Sequence, residues 1–407
     1  MKNLTISYLL TAFILMISSC TTSDKNPQII TKRIDSIITD SIKQTINEPI
    51  IIFPVDTFYN NITQLLGGMD SIVAYEHNWD IEIIKEYART TSEKTKKIEI
   101  NRLQPMSEWN ASNLERNKQS DSSFVFYPFS GGDFIHLFWL YPNASEYLMV
   151  AREDVGHIPD LYNNDAKFCT EYLNDIDFVL RDVYNKSYFI TKHMKTDTKG
   201  ATKVDGMLPL ILWAAAITNH EILSVKYAEV NASSQMVFVD SLNTRKKHDA
   251  VEIMMRNIED GKIKNVTYLS CDISDDGFKS KPQYYNYLSS TLPTSCISFI
   301  KSASYLLHYT AFNEIRNLIL EKSNFLVQDD TGIPFKYFDK SVWNVELCGG
   351  YLTPVKDFSE NLYQKDLSVA YNDSNYFLGP INFSLGYHWG RGENRQNQMV
   401  MTKILRN

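Results

Sequence analysis

The stretch from Ser123 to Ala151 constrains the fold more than any other part of this sequence. Ser123-Phe124-Val125-Phe126-Tyr127 is aromatic and β-branched, the composition of a strand. Pro128-Phe129-Ser130-Gly131-Gly132 reads as a turn. Asp133–Tyr141 has the length of a short helix, Pro142-Asn143 stops it, and Glu146–Ala151 resumes strand character. Strand, helix and strand at this spacing predict a βαβ unit with a parallel pair.

The rest of the chain interleaves both element types. Helices are expected over 80–87, 164–182, 183–193, 207–220, 249–258, 284–289, 294–308 and 311–322. Strands are expected over 97–100, 223–230, 236–240, 265–272 and 325–328, with a strand-like aromatic tail from Phe335. No internal repeat or low-complexity tract interrupts this order. The expected class is α/β or α+β: a mixed sheet with at least one parallel βαβ unit and helices interleaved.

Of the 407 residues, 43% are hydrophobic and 22% charged, an ordinary globular balance. The formal charge of −7 gives no electrostatic basis for binding nucleic acid. The longest strongly apolar internal run, Met207–Thr218, is too short to span a bilayer and suits a buried helix. The chain carries 24 Tyr and 21 Phe, and tyrosine faces suit sugars and proteins as partners as well as they suit a core.

The N-terminus sets a location. Lys2 precedes an apolar stretch from Leu4 to Ile17, and the run ends Leu15-Met16-Ile17-Ser18-Ser19-Cys20. A basic start, a short apolar core and small residues before the cut have the form of a secretory signal. The pattern resembles the lipobox of bacterial lipoproteins. That resemblance implies a signal peptide over 1–19, lipidation (palmitate among the acyl groups) at Cys20, and a membrane anchor of two or three acyl chains, enough for permanent attachment. Thr21 rather than Asp after the cysteine implies the outer membrane, with periplasm-facing and surface-exposed orientations both open. Residues 20–50 then form a tether, and 51–407 a globular α/β body that would subdivide, if anywhere, near 195–250. Asp35-Ser36-Ile37, Asp40-Ser41-Ile42, Asp70-Ser71-Ile72 and Asp240-Ser241-Leu242 resemble the glycosylation sites of exported Bacteroidetes proteins.

With Cys20 set aside for lipid, Cys169, Cys271, Cys296 and Cys348 remain. Four cysteines in an oxidising compartment allow two disulfides in three connectivities, or four buried thiols. No pair has metal-ligand spacing, no two histidines stand at i, i+4, and neither a metal nor a cofactor is expected.

Three places carry candidate chemistry. In Ser130-Gly131-Gly132-Asp133-Phe134-Ile135-His136, a hydroxyl lies between a strand and a helix, and Asp133 and His136 share a helix face. Ser130, Asp133 and His136 are therefore the catalytic candidates. The same Ser130-x-x-Asp133 pattern also matches a helix capping box, and Pro128 stands where a nucleophile elbow has glycine. Asp329 and Asp330 are paired carboxylates after a strand, which only a turn can bring together. Trp389 and Arg391 form an aromatic and cationic pair suited to a carboxylate or sugar.

The segment Tyr127-Pro128-Phe129-Ser130-Gly131-x-Asp133-Phe134, with Gln328-Asp329-Asp330-Thr331-Gly332-Ile333-Pro334, is similar to an uncharacterised group of exported bacterial proteins, many of them Bacteroidetes lipoproteins. Gly132 replaces the proline expected there. The group carries no assigned activity. Two functional readings follow: an outer-membrane lipoprotein whose body binds a protein or glycan partner, or a periplasmic hydrolase of an ester or glycan using the Ser130–His136 turn. The lack of a recognisable nucleophile–base or metal constellation favours the first.

Overall fold

The computed structural model of the chain describes residues 53–69, 81–114, 123–239, 247–355, 358, 362–388 and 396–404. Cys20, the signal and tether segments, the four Asp-Ser sites, Trp389 and Arg391 lie outside the described residues. The chain divides at Phe53, and everything below concerns the unit from Pro54 onward.

The protein is mixed α/β. Its strands are β1 (Phe124–Pro128), β2 (Glu146–Ala151), β3 (His220–Val230), β4 (Met236–Phe238), β5 (Ala250–Asn257), β6 (Ile263–Ser270), β7 (Cys296–Ile300), β8 (Ser323–Gln328), β9 (Trp343–Gly349), β10 (Phe377–Gly379) and β11 (Asn397–Lys403). They form one sheet in the order β10-β9-β11-β8-β7-β1-β2-β6-β5-β3-β4. The expected βαβ unit is present, with β1 and β2 parallel from Phe124↔Glu146 to Pro128↔Val150. It sits at the centre of five parallel strands, β8-β7-β1-β2-β6. Antiparallel strands extend the sheet on both sides, β5, β3 and β4 beyond β6 and β11 beyond β8. The stretch 195–250 adds β3 and β4 to this same sheet.

Helices cover both faces, as buried parallel strands require. One layer holds α1 (Thr57–Leu66), α2 (Ile81–Ile98), α3 (Gln104–Asn113), α4 (Phe134–Leu140), α5 (Ala166–Val179), α6 (Arg181–Lys186), α7 (Thr191–Thr196) and α8 (Leu208–Ile217). The other holds α9 (Asp275–Ser280), α10 (Pro282–Thr291), α11 (Asn313–Lys322) and α12 (Lys365–Tyr371). Period-two alternation on β1 divides the core: Val125 and Tyr127 belong to the core that holds Phe134 and Trp213, while Phe126 belongs to the one that holds Leu288 and Ile315. Helix α8 is buried along Leu208–Ala216, so it has no polar face to turn outward.

Four expected elements differ. The helix expected over 249–258 is strand β5, in which Val251, Ile253 and Met255 are buried and alternate with half-exposed Glu252, Met254 and Arg256. The helix expected over 294–308 is strand β7 followed by a loop. All five residues of β7 are buried, and a short run apolar on both faces has no period to separate strand from helix. The extended piece expected at 97–100 is helical: α2 runs through a π turn, Glu99–Leu103, into α3. The helix expected over 183–193 is broken after α6 by Ser187, whose φ is 66°.

The chain leaves β1 through α4 on one face to reach β2, and leaves β7 towards α11 on the other face to reach β8. Because β1 and β7 are neighbours, their carboxyl ends diverge and open a crevice. This is the switch point at which doubly wound sheets bind ligands.

Candidate functional site

The crevice is lined by the carboxyl ends of four adjacent strands. These are Tyr127–Asp133 after β1, Ala151–Glu153 after β2, Cys271–Ile273 after β6 and Lys301–Leu306 after β7, with Tyr188, Phe189, Met194 and Phe312 closing the sides. Its enclosed part measures about 150 Å³. Among the described residues seven non-glycine residues have positive φ, and five of them are here or against it: Phe129, Ser187, Ser302, Ser304 and Tyr305. Each such conformation costs roughly 1–3 kcal/mol and persists only where the surroundings impose it. Strain gathered on the two loops of a switch point marks them as shaped for something other than stability.

The two glycines of the first turn have separate tasks. Gly131 has φ 53°, and a Cβ there would meet only Phe189, at 3.8 Å. Gly132 packs on α8, where a Cβ would lie 3.0 Å from Leu210. The proline expected at this position would have to fit against the same helix.

At the floor of the crevice lies a buried ionic cluster. Asp133 is the N-cap residue of α4, yet its carboxylate caps no helix amide. It accepts from Tyr127 Oη at 3.0 Å, faces His136 Nδ1 at 2.6 Å, and closes on Lys301 Nζ. Lys301 also donates to the Ser187 carbonyl at 2.8 Å. Both Asp133 and Lys301 are 2% exposed. Burial opposes the charged form of Asp133, but the adjacent His136 and Lys301 outweigh it and bring its pKa to about 2. Burial pushes His136 down to about 4, with Lys301 adding to it and Asp133 resisting. His136 is therefore neutral at pH 7, and the counter-ion of Asp133 is Lys301. The short contact to Asp133 assigns the imidazole proton to Nδ1, which leaves Nε2 buried without a partner.

Ser130 does not cap α4, contrary to the capping-box expectation. Its hydroxyl donates to the carbonyls of Gly131 at 3.1 Å and Val150 at 3.5 Å. It is not hydrogen-bonded to His136, whose ring is engaged beneath it. Ser130 and Asp133 line the crevice and His136 does not.

Asp329 and Asp330 follow β8 in a buried turn, and their carboxylates diverge. Asp329 accepts from the Ser302 amide at 2.9 Å and the Thr331 amide at 3.0 Å, bracing the loop after β7. Burial and the neighbouring Asp330 push its pKa up. Asp330 accepts from Tyr305 Oη at 2.5 Å and Asn397 Nδ2 at 3.1 Å and pairs with His388 Nε2 at 2.7 Å. Burial opposes ionisation of Asp330, and the His388 contact leads the groups that lower its pKa. Neither aspartate lines the crevice. Among the described residues no set of three His, Cys, Asp or Glu side chains is placed to hold a metal.

No protein-family model, curated protein or solved structure significantly matches the chain. The functional reading therefore rests on the site's own chemistry. Sequence reasoning missed three of its residues: Glu153, Asp272 and Lys301. All three follow strand ends, and Lys301 follows the strand that was read as a helix. Glu153 is buried, and Asp272 meets Arg152 at 3.0 Å. A larger groove of about 550 Å³ lies at the far end of α4, against Trp139, Asn143, Asn219 and Glu259. Its one buried cation, Lys264, is committed to the Pro142 and Ala144 carbonyls at 2.6 and 2.9 Å. One of the seven positive-φ residues, Asn219, borders it, against five at the crevice.

Proposed function

We propose that the body of this protein binds a nucleoside-type ligand in the switch-point crevice. One observation carries this reading: a glycine turn after β1, a buried acid after β2 and a second acid after β6 converge on one crevice. In doubly wound folds the acid about twenty residues beyond the glycine turn takes the ribose hydroxyls, and Glu153 holds that place here. Asp272, Ile273 and Phe312 offer a polar edge and two apolar walls for a base. The test is equilibrium binding of adenosine to the full chain. Binding is expected in the wild type and at least about tenfold weaker in Glu153→Gln, the loss of one charge-assisted hydrogen bond. Equal affinity in the two proteins, or no binding, overturns the reading.

A hydrolase at the Ser130–His136 turn is less well supported, because the hydroxyl lacks a base and His136 is held beneath it by Asp133. A glycan in the same crevice would also meet Glu153 through vicinal hydroxyls. It would compete with adenosine for the crevice.

We also propose that the chain is an outer-membrane lipoprotein anchored through Cys20. The support is the Leu15–Cys20 pattern, and no described helix is long and apolar enough to cross a membrane. Radiolabelled palmitate is expected to enter the wild type and not Cys20→Ala. Equal labelling of both removes the anchor.

A further inference from the structure

We infer that the groove at the far end of α4 is a second binding site, and that it takes a neutral disaccharide. This is independent of the nucleoside reading. The groove lies at the amino ends of β2 and β6, the opposite ends of these parallel strands from the crevice. Its volume of about 550 Å³ falls within the roughly 300–1,000 Å³ of small-molecule sites.

Such sites are usually lined by apolar side chains with a few polar groups. Here most of the lining side chains are polar, and they border an aromatic edge, the half-buried Phe138 and Trp139. A sugar ring has the matching character, with C–H bonds on its faces and hydroxyls around its rim. The C–H face packs on the electron-rich face of an aromatic ring. Neighbouring hydroxyls pair with the two polar atoms of one carboxylate or carboxamide.

The polar wall is built in advance. Asn257 is 8% exposed, and its Oδ1 accepts from the Glu259 and Asp260 amides at 3.0 and 3.2 Å, fixing the turn between β5 and β6. The Ile258 amide donates to the Asn219 carbonyl at 2.9 Å, and Asn219 Nδ2 to Glu259 Oε1 at 3.1 Å. These bonds tie the turn to the corner between α8 and β3. Asn219 Oδ1, Glu259 Oε2 and the exposed carboxamide of Asn143 have no protein partner among the described residues. Groups held in place before the ligand arrives lose little freedom on binding it.

The charges favour a neutral ligand. Lys264 is the one cation of the described lining, and the Pro142 and Ala144 carbonyls hold it at 2.6 and 2.9 Å. Glu99, Glu259 and Asp260 are the carboxylates of the same wall. They accept from neutral hydroxyls, which a disaccharide supplies in number.

The experiment measures equilibrium binding of cellobiose, maltose and N,N′-diacetylchitobiose to the full chain by calorimetry. At least one is expected to bind with a Kd of about 1 mM or tighter. Its affinity is expected to stay within about twofold in excess adenosine, whether or not adenosine itself binds. Trp139→Ala and Glu259→Ala are each expected to weaken it at least about tenfold, through loss of the ring face and of a hydrogen bond to a charged group. If Trp139→Ala fails to fold, Glu259→Ala, on an exposed turn, decides alone. Binding of all three sugars weaker than about 1 mM overturns the inference. So does a smaller loss in either folded variant, or displacement of the sugar by adenosine.

Discussion

Lys301 closes on Asp133 across 168 residues of sequence, joining the loop after β7 to the start of α4. This one buried ion pair ties together the two chain segments that part at the switch point. Replacing either partner alone leaves the other charged and unpaired, at a cost of about 3–5 kcal/mol. Lys301→Met and Asp133→Asn are each expected to lose that much in denaturant unfolding. The double variant is expected to lose clearly less than the two together. Strict additivity would mean that the pair does not couple the loops.

Acid sensitivity follows from two buried imidazoles and a half-buried one. Burial pushes His136, His220 and His308 each down to about 4. In the unfolded chain they take up protons near pH 6.5, and in the folded protein only near pH 4. Between these values the unfolded state binds more protons, so stability falls as pH falls from 6.5 to 4. The loss is on the order of 2–3 kcal/mol for His136. His157 acts with the opposite sign: its bond to Asp205 raises its pKa, so its contribution is complete below pH 6.5 and fades as pH rises. Unfolding free energies across pH 4–7 check the sum, and a flat profile would contradict it.

The Asp330 cluster is expected to serve stability and not the ligand. Asp330→Ala removes the acceptor of Tyr305, His388 and Asn397 at once and is expected to cost about 3–5 kcal/mol. Adenosine affinity, measured below the lowered unfolding midpoint, is expected to stay within about twofold of the wild type, because Asp330 does not line the crevice.

The four cysteines of the body are free and buried, so the disulfide alternative left open by the sequence does not apply to them. Burial pushes the thiols of Cys169 and Cys296 up to about 11 and that of Cys271 higher still. A thiol reagent is expected to be nearly unreactive with the native protein at pH 8. It is expected to titrate all four after unfolding without reductant. Fewer than four would indicate a disulfide.

How much of this was legible in the sequence depends on the element. The β1–α4–β2 unit could be read because its aromatic strand, Gly-Gly turn and Pro-Asn stop change character within a few residues. The buried helix α8 could be read because its apolar run is too long for a strand. β7 could not, since Cys-Ile-Ser-Phe-Ile is apolar on both faces and carries no period. Losing β7 hid the switch point, and with it Lys301. Ser130 and Asp133 line the crevice, but their partners could not be read from the sequence. A capping box and an ion-pair floor share the same residues, and the difference lies in Lys301, far along the chain. Asp329 and Asp330 drew attention as a pair, yet the turn after β8 directs them to separate networks.

The most direct test of the central claim is a crystal structure of the full chain grown with adenosine. The ribose hydroxyls are expected on Glu153 and the base between Ile273 and Phe312, at the carboxyl ends of β1, β2, β6 and β7. Adenosine seated instead in the groove beside Trp139 and Asn219, or a crevice left empty at saturating ligand, would contradict the account.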